Sequence, residues 1–408
     1  MRSPDGAQPM AYAQSVAALL WPPPATAALT RRPGAGGDHV VRDWLVLPSP
    51  SRPRLLVPTG HPGAARMLAR HGTRLGPRVT RAALAAGVRS GLLEHLPVAR
   101  LRVSVPAGRT ALPASVEGRL AEVLGRPVAT GVLLGTPRVN RKPVLQLFDD
   151  EGTTVAFVKV AHDDATRALV RREAENLRRV AALGLRTVEA PRVLHHGSFG
   201  GAAELLVLSV LTSSQERRQP GPAPLPAMAE LARAAGVSDG APLRSTPFWA
   251  ALRVAGGRIG DPDLAALAAS VLARADDRFG GLDLPMGGWH GDWAPWNMGW
   301  HAGRVQLWDW ERYATGVPVG FDAVHYRAQP VRHDREGLRA AEDALVADLP
   351  ALLAAFGLPA GADAADAVLV LYLLEIACRY LAPEGEQPAN PRHPRARWAL
   401  ALADRRLG

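Results

Sequence analysis

The sequence predicts an α+β protein: a strand-rich segment over 113–211, a mainly helical one over 212–408, a smaller α+β unit over 41–112 and a poorly ordered lead-in over 1–40. Three observations carry that prediction. Between Val128 and Leu211, short β-branched or apolar runs alternate with glycine-bearing or acidic turns, the mark of successive strands. Beyond the Pro-rich stretch Gln219–Ala227, apolar residues recur mostly at helical spacing, apart from Gly287–Trp310. With 408 residues, 47% hydrophobic and 21% charged, the chain can bury a core in two or three packed units.

Each element has its own local cause. Residues 1–40 are rich in Pro, Ala and Gly, the basis for expecting little order there. Trp44–Leu47 and Leu55–Pro58 read as short strands, Gly63 to about Leu93 as helix broken near Gly72–Pro77, and Ala99–Val105 as a strand. A short helix, Ser115–Leu124, then precedes the strand Val128–Leu134. The runs Val144–Phe148 and Thr153–Val160 flank the turn Asp149–Gly152 and form a hairpin. A helix over 165–182 follows, with Asp163 and Asp164 as candidate caps, then strands at Arg192–His195 and Glu204–Leu211. No internal repeat is present.

Composition excludes several functions. The single cysteine, Cys378, rules out a disulfide framework and any multi-cysteine metal site. The formal charge is +10, but the arginines are scattered and no basic run interleaves with aromatics, so no nucleic-acid partner is expected. The most apolar stretch, Ala365–Ala382, contains Glu375 and Arg379 and reads as a buried helix, so no membrane span is expected and the protein reads as cytoplasmic. Of 48 basic residues only Lys142 and Lys159 are lysine. A position that keeps lysine in so arginine-rich a chain is a candidate for one needing a compact ammonium.

The chemistry is concentrated in one segment. Trp289-His290-Gly291-Asp292 is followed by Asn297, five residues after the aspartate, and twelve residues later the apolar run ending at Trp308 reaches Asp309. Phosphoryl transfer from a nucleotide needs these types at this spacing. One carboxylate orients and deprotonates the attacking hydroxyl, while an amide and a second carboxylate hold the metal that bridges the phosphates. Oxygen ligands of this kind suit Mg²⁺, which keeps waters for its remaining positions.

Two further residues lie where that chemistry requires partners. Lys159 sits inside the apolar run Val155–Val160, where a cation must find an anion. On the following helix Leu169, Glu173, Leu177 and Val180 share one face, so Glu173 is turned toward the core, where an unpaired carboxylate is costly. Buried Lys159 and buried Glu173 on consecutive elements imply a pair. Six of the ten tryptophans fall between 289 and 310, and core filling accounts for most of them. His195 and His196 have no partner legible in the sequence.

Residues from about 116 to 408 resemble the aminoglycoside phosphotransferase family, small-molecule kinases with a bilobal protein-kinase-like fold. His290-Gly291-Asp292 with Asn297 resembles its catalytic loop, Asp309-Trp310-Glu311 its metal-binding strand end, and Arg172-Glu173 its helix-C motif. Gly316-Val317-Pro318 with Phe321-Asp322-Ala323 resembles the segment after that strand, where the aspartate is usually structural. The phosphate loop is the weak part: Gly135–Asn140 lacks a G-x-G-x-x-G.

The resemblance implies a β-rich N-lobe over 113–211, a helical C-lobe over 212–408, and an ATP- or GTP-dependent, Mg²⁺-requiring enzyme that phosphorylates a hydroxyl of a small molecule. Asp292 would be the base, Asn297 and Asp309 the metal ligands, and Lys159, held by Glu173, the grip on the phosphates. The alternative is a non-catalytic nucleotide-binding pseudokinase or accessory protein, with the N-terminal unit docking a protein partner. Retention of all five residues favours the enzyme.

Overall fold

The computed structural model describes residues 7–30, 39–71, 83–84, 86–88, 90, 98–106, 114–135, 141–201, 203–212, 222–238, 240–329, 331, 337–358, 362–383 and 389–408. They form two compact units, one of 1–174 with 192–210, the other of 175–191 with 211–408.

The first unit is built on a nine-stranded antiparallel sheet. In chain order its strands are β1 (Thr26–Thr30), β2 (His39–Ser49), β3 (Arg52–Pro58), β4 (Arg100–Val105), β5 (Ala129–Leu133), β6 (Val144–Phe148), β7 (Thr154–Ala161), β9 (Val193–Phe199) and β10 (Ala203–Leu208). Across the sheet the order is β1-β4-β2-β3-β5-β6-β7-β10-β9. Strand alternation feeds two cores. Trp44 and Val46 of β2 join one cluster with Leu101 and Val158, while Leu45 and Leu47 join another with Met67 and Phe148. The β6–β7 hairpin closes as its turn chemistry requires: Asp149 Oδ1 accepts the Thr153 N–H at 2.7 Å, and Gly152 takes φ +76°, a conformation costly for residues with a Cβ. In this register Lys159 lies opposite Val144 on one side and Leu206 on the other. The helix Val116–Leu124 is capped by Ser115 Oγ at the Gly118 N–H and ends at left-handed Gly125.

Two expectations are corrected here. The lead-in carries a helix, α1 (Ala7–Leu20), whose Ala13, Val16, Ala17 and Leu20 are buried together with Trp21, and β1 pairs with β4 along its whole length. The composition is Pro- and Gly-rich only around the helix, and the helix itself presents an apolar face to the sheet. Residues 41–112 are likewise no separate body: β2, β3 and β4 continue the sheet that β5–β7 belong to, with β3 paired to β5. Tyr12 of α1 reaches the end of the candidate phosphate loop, donating its hydroxyl to the Arg141 carbonyl at 3.3 Å under the Arg141 guanidinium. Residues 136–140 of that loop lie outside the described residues, as does most of the helix expected between His71 and Leu93. His196 does have a partner, Glu204 on the neighbouring strand at 2.6 Å.

The second unit is mainly helical, and the chain as a whole is of the α+β class expected from the sequence. Its helices include α8 (Phe321–Ala328), α9 (Leu338–Ala354), α10 (Ala362–Leu381) and α11 (Pro394–Leu407). Residues 367–374 of α10 are buried on every side, which accounts for the apolar run noted in the sequence. Among the described residues no helix is long and apolar enough to cross a membrane. Between the helices lie short strands: β8 (Val188–Glu189), β13 (Met286–Trp289), β14 (Met298–His301), β15 (Arg304–Leu307) and β16 (Ala314–Pro318). β13 pairs with β16 and β14 with β15.

Candidate active site

The spacing between Asn297 and Asp309 is that of a tight hairpin. β14 and β15 pair from Met298↔Leu307 to His301↔Arg304, leaving Ala302 and Gly303 as a two-residue turn with φ +48° and +77°. Ala302 takes this turn without glycine's freedom. The hairpin returns Trp308 to Asn297, whose carbonyl accepts the Trp308 N–H at 3.0 Å, so that Asp309 follows directly. Asp309 itself has φ +67°, a left-handed conformation that aspartate tolerates better than most residues and that often marks a site where backbone direction matters. Its side chain is partly exposed.

Asp292 and Asn297 are in direct contact. Asn297 Nδ2 donates to Asp292 Oδ2 at 2.8 Å and to the Asp292 carbonyl at 3.0 Å. The turn before them is fixed from below by the buried carboxylate of Asp322, which accepts the main-chain N–H of His290 at 2.7 Å and of Gly291 at 3.2 Å. Gly291 sits at φ +81°, and a Cβ there would lie 2.5 Å from the Arg312 carbonyl oxygen. Only glycine fits. The Gly291 carbonyl in turn accepts from Arg379 Nη1 at 2.7 Å, and that guanidinium stacks on Trp289. The structural part that the sequence resemblance implies for Asp322 matches these bonds.

His290 is fully buried and packs edge-on against Trp293 and Trp310. Burial pushes its imidazole down to about 4, against the charges of Asp292 and Asp309, and its Nδ1 accepts the Asp292 N–H. Burial likewise raises the Asp322 carboxyl to about 7, although two backbone N–H groups and Arg379 oppose it. For Asp292 burial also acts upward, but the bond and charge of His325 and the charge of His290 outweigh it and leave the carboxyl below its ordinary range. Of the six tryptophans in this segment, Trp289, Trp293 and Trp310 are buried, whereas Trp296 is 53% exposed.

In the first unit Lys159 Nζ donates to Glu173 Oε1 at 2.7 Å, both side chains being buried. The helix Asp164–Ala181 carries Glu173, and Thr166 caps its start by donating its N–H to Asp163 Oδ1 at 2.8 Å. Asp163, one of the two candidate caps, does the capping. The five sequence-predicted residues thus form two groups, the pair Lys159–Glu173 in the first unit and Asp292, Asn297 and Asp309 in the second.

No family model and no curated protein matches the chain. Solved structures do. The chain is similar to aminoglycoside phosphotransferase APH(4)-Ia, solved as a thermostable mutant in a ternary complex with AMP-PNP and hygromycin B: 16% identity, 72% of this chain and 97% of that one, TM-score 0.48. It is similar to a Thermobifida fusca protein assigned as a fructosamine-3-kinase, with 22% identity over 72% and 98% of the two chains and a TM-score of 0.45. It is also similar to APH(2'')-IIa in a ternary complex with streptomycin and ATP, with 10% identity over 72% and 97% and a TM-score of 0.42.

Sequence reading missed two contributors. Asn176, on the second-unit half of the helix Asp164–Ala181, donates to the Trp310 carbonyl at 2.9 Å and the Tyr313 carbonyl at 3.1 Å, pinning the chain just after Asp309. Its signal was rarity, since asparagine occurs only four times. His325, buried on α8, lies 3.3 Å from Asp292 Oδ1, and nothing in its sequence context marks it.

Proposed function

We propose that the protein is a magnesium-dependent kinase that moves the γ-phosphate of ATP, or of GTP, to a hydroxyl of a small molecule. The observation that carries this reading is the second-unit cluster: Asp292 bonded to Asn297 on a turn locked by Asp322, with Asp309 at the end of the adjoining hairpin. A carboxylate, an amide and a second carboxylate are the groups that phosphoryl transfer asks for.

The donor set suits magnesium. Among the described residues no three His, Cys, Asp or Glu side chains gather as a cation cage. Mg²⁺ is commonly held by one or two carboxylates plus substrate phosphates and waters, which Asp309 with the Asn297 side-chain oxygen would provide. Bound there with the nucleotide, the ion would neutralise charge developing on the phosphates.

The protein's own residues would do the rest. Asp292 would align the acceptor hydroxyl and take its proton as the oxygen attacks in line. Lys159 would hold the nucleotide phosphates, its ammonium aimed by Glu173. Asn176 and Asp322 would keep the two loop segments in place. The acceptor is a hydroxyl-bearing small molecule.

The test is a panel of hydroxyl-bearing small molecules incubated with labelled ATP and Mg²⁺, run beside nucleotide hydrolysis and calorimetry. Transfer of label to an acceptor, lost in Asp292→Asn, is the expected result. Absence of any magnesium-dependent nucleotide binding at millimolar concentration sinks the kinase reading.

A further inference from the structure

His325 contacts three side chains besides packing into the core. Its Nε2 lies 3.3 Å from Asp292 Oδ1 and 2.6 Å from the amide nitrogen of Gln329, and its Nδ1 lies 3.1 Å from the Tyr372 hydroxyl. Which nitrogen carries the proton follows from donor and acceptor types, starting at Arg395 on α11. A guanidinium only donates. Arg395 Nη1 donates to Gln329 Oε1 at 2.6 Å, so the Gln329 amide must turn its NH₂ toward His325. An NH₂ group also only donates. Nε2 therefore meets it with a lone pair, and the ring proton sits on Nδ1, donated to the Tyr372 oxygen.

The surroundings keep the ring neutral. Facing it are Asp292 and His290 from the catalytic loop, Tyr372 and Arg379 from α10, and Arg395 from α11. Burial, helped by the two guanidinium charges and opposed by Asp292, pushes the imidazole down to about 4. An unprotonated Nε2 offers no hydrogen bond to an ionised carboxylate and a good one to a protonated carboxyl.

We propose that His325 is a positioning residue for Asp292: fixed by Arg395 and Gln329 as the Nδ1-protonated tautomer, it accepts a hydrogen bond from Asp292 once that group has taken the acceptor's proton. The inference rests on Asp292 being the base. In the step, the acceptor's O–H bond breaks, its electron pair stays on the attacking oxygen, and the proton ends on Asp292 Oδ1, hydrogen-bonded to Nε2. Nothing is oxidised or reduced.

The test is nitrogen NMR of the full-length, ¹⁵N-histidine-labelled protein near neutral pH, with the His325 signals assigned by their loss in His325→Gln. The expected result is a protonated Nδ1 and a bare, pyridine-like Nε2. A protonated Nε2 overturns the proposal. Gln329→Glu, which replaces the donor by an acceptor, is expected to move the proton to Nε2, and an unchanged spectrum overturns the chain of control from Arg395. Asp292→Asn puts an N–H where the protonated carboxyl has its O–H, and a shift of the Nε2 signal without protonation is expected, no shift being adverse.

Hydrolysis of Mg-ATP, with water as the acceptor, supplies a kinetic readout. His325→Leu is expected to lower kcat about tenfold or more with KM for ATP within about twofold, and His325→Gln, whose amide oxygen can accept, to recover part of it. Equal losses in kcat and KM, or no recovery with glutamine, indicate a merely structural residue and overturn the proposal. Undiminished hydrolysis in Asp292→Asn sinks instead the reading of Asp292 as base, and leaves the tautomer result standing.

Discussion

Asp322 Oδ2 accepts the main-chain N–H of His290 at 2.7 Å, and its other oxygen takes that of Gly291, so a buried carboxylate on α8 holds the turn that presents Asp292. The restraint is indirect, which makes Asp322 a residue whose loss should be felt at a group it does not touch. Removing it leaves two buried donors without an acceptor, at about 1–3 kcal/mol each. Asp322→Ala is therefore expected to lower stability by several kcal/mol and to reduce turnover, read by denaturant unfolding and phosphoryl transfer. Wild-type stability in this variant would mean that water or a shifted backbone replaces the carboxylate.

Gly291 gives a sharper steric test of the same turn. Both its φ of +81° and the 2.5 Å approach of a Cβ to the Arg312 carbonyl oppose any larger residue. Gly291→Ala should displace the Asp292 backbone, lowering turnover more than nucleotide affinity. A kcat equal to wild type shows that the turn has slack.

Lys159→Arg is expected to weaken nucleotide binding about tenfold, although arginine stands for lysine nearly everywhere else in the chain. A wider planar guanidinium cannot keep both the 2.7 Å contact to Glu173 Oε1 and the position of a compact ammonium. Losing one charge-assisted hydrogen bond costs about 1.5–3 kcal/mol. Isothermal calorimetry with Mg-ATP decides it, and equal affinity counts against the phosphate-gripping role.

Base and metal ligands should separate in three variants. Asp292→Asn is expected to keep Mg-nucleotide binding and lose about 10²–10⁴-fold in turnover. Asp309→Asn and Asn297→Ala should instead weaken the magnesium-dependent part of nucleotide affinity, since each removes an oxygen ligand of a hard cation. Measuring affinity with and without Mg²⁺ in all three reveals a reversed assignment directly.

Acid should destabilise the protein through its buried histidines. His290 and His325 both titrate in the fold near 4, below the ordinary 6.5. Their contribution is present above about pH 6.5 and is lost as pH falls toward 4, because the unfolded chain takes up protons that the folded one refuses. Asp322, raised to about 7, acts in the opposite sense over most of that window, since the folded carboxyl keeps a proton that the unfolded one has released. Two groups against one leave a net gain with rising pH of about 1.4 kcal/mol per unit. His325→Gln removes one of the two and should flatten that slope between pH 4.5 and 6.5. Unfolding by urea at several pH values is the measurement, and an unchanged slope contradicts the neutral, buried state of His325.

Trp21 tests the unexpected order of the N-terminal segment. It packs 4.4 Å from Trp44, both rings buried, and Trp44 Nε1 donates to the Thr130 carbonyl of β5. Trp21→Ala is expected to cost about 3–5 kcal/mol in the stability of the first unit. A loss below 1 kcal/mol, read by denaturant unfolding, would mean that the helix Ala7–Leu20 is dispensable to that core.

The sequence by itself determined the strands and helices whose patterns are local, and with them the candidate chemistry. Period-two runs set β6 and β7, the acidic glycine-ended turn set their hairpin, and the one-face spacing of Leu169, Glu173 and Leu177 announced that Glu173 would be buried. Asp292, Asn297 and Asp309 were legible because their spacing is short and carries its own geometry, a loop and a two-residue hairpin. Long-range pairing was not. That α1 and β1 join the sheet depends on β4 and Trp44, many residues away, and a Pro- and Gly-rich composition gives no hint of it. His325 meets Asp292 across 33 residues and Tyr372 across 47, and Asn176 meets Trp310 across 134. A lone histidine or asparagine has no periodicity to betray its partner. Only packing of the helices around the loop decided which polar side chains would be buried together, and burial, by making every unpaired donor and acceptor costly, decided how they bond.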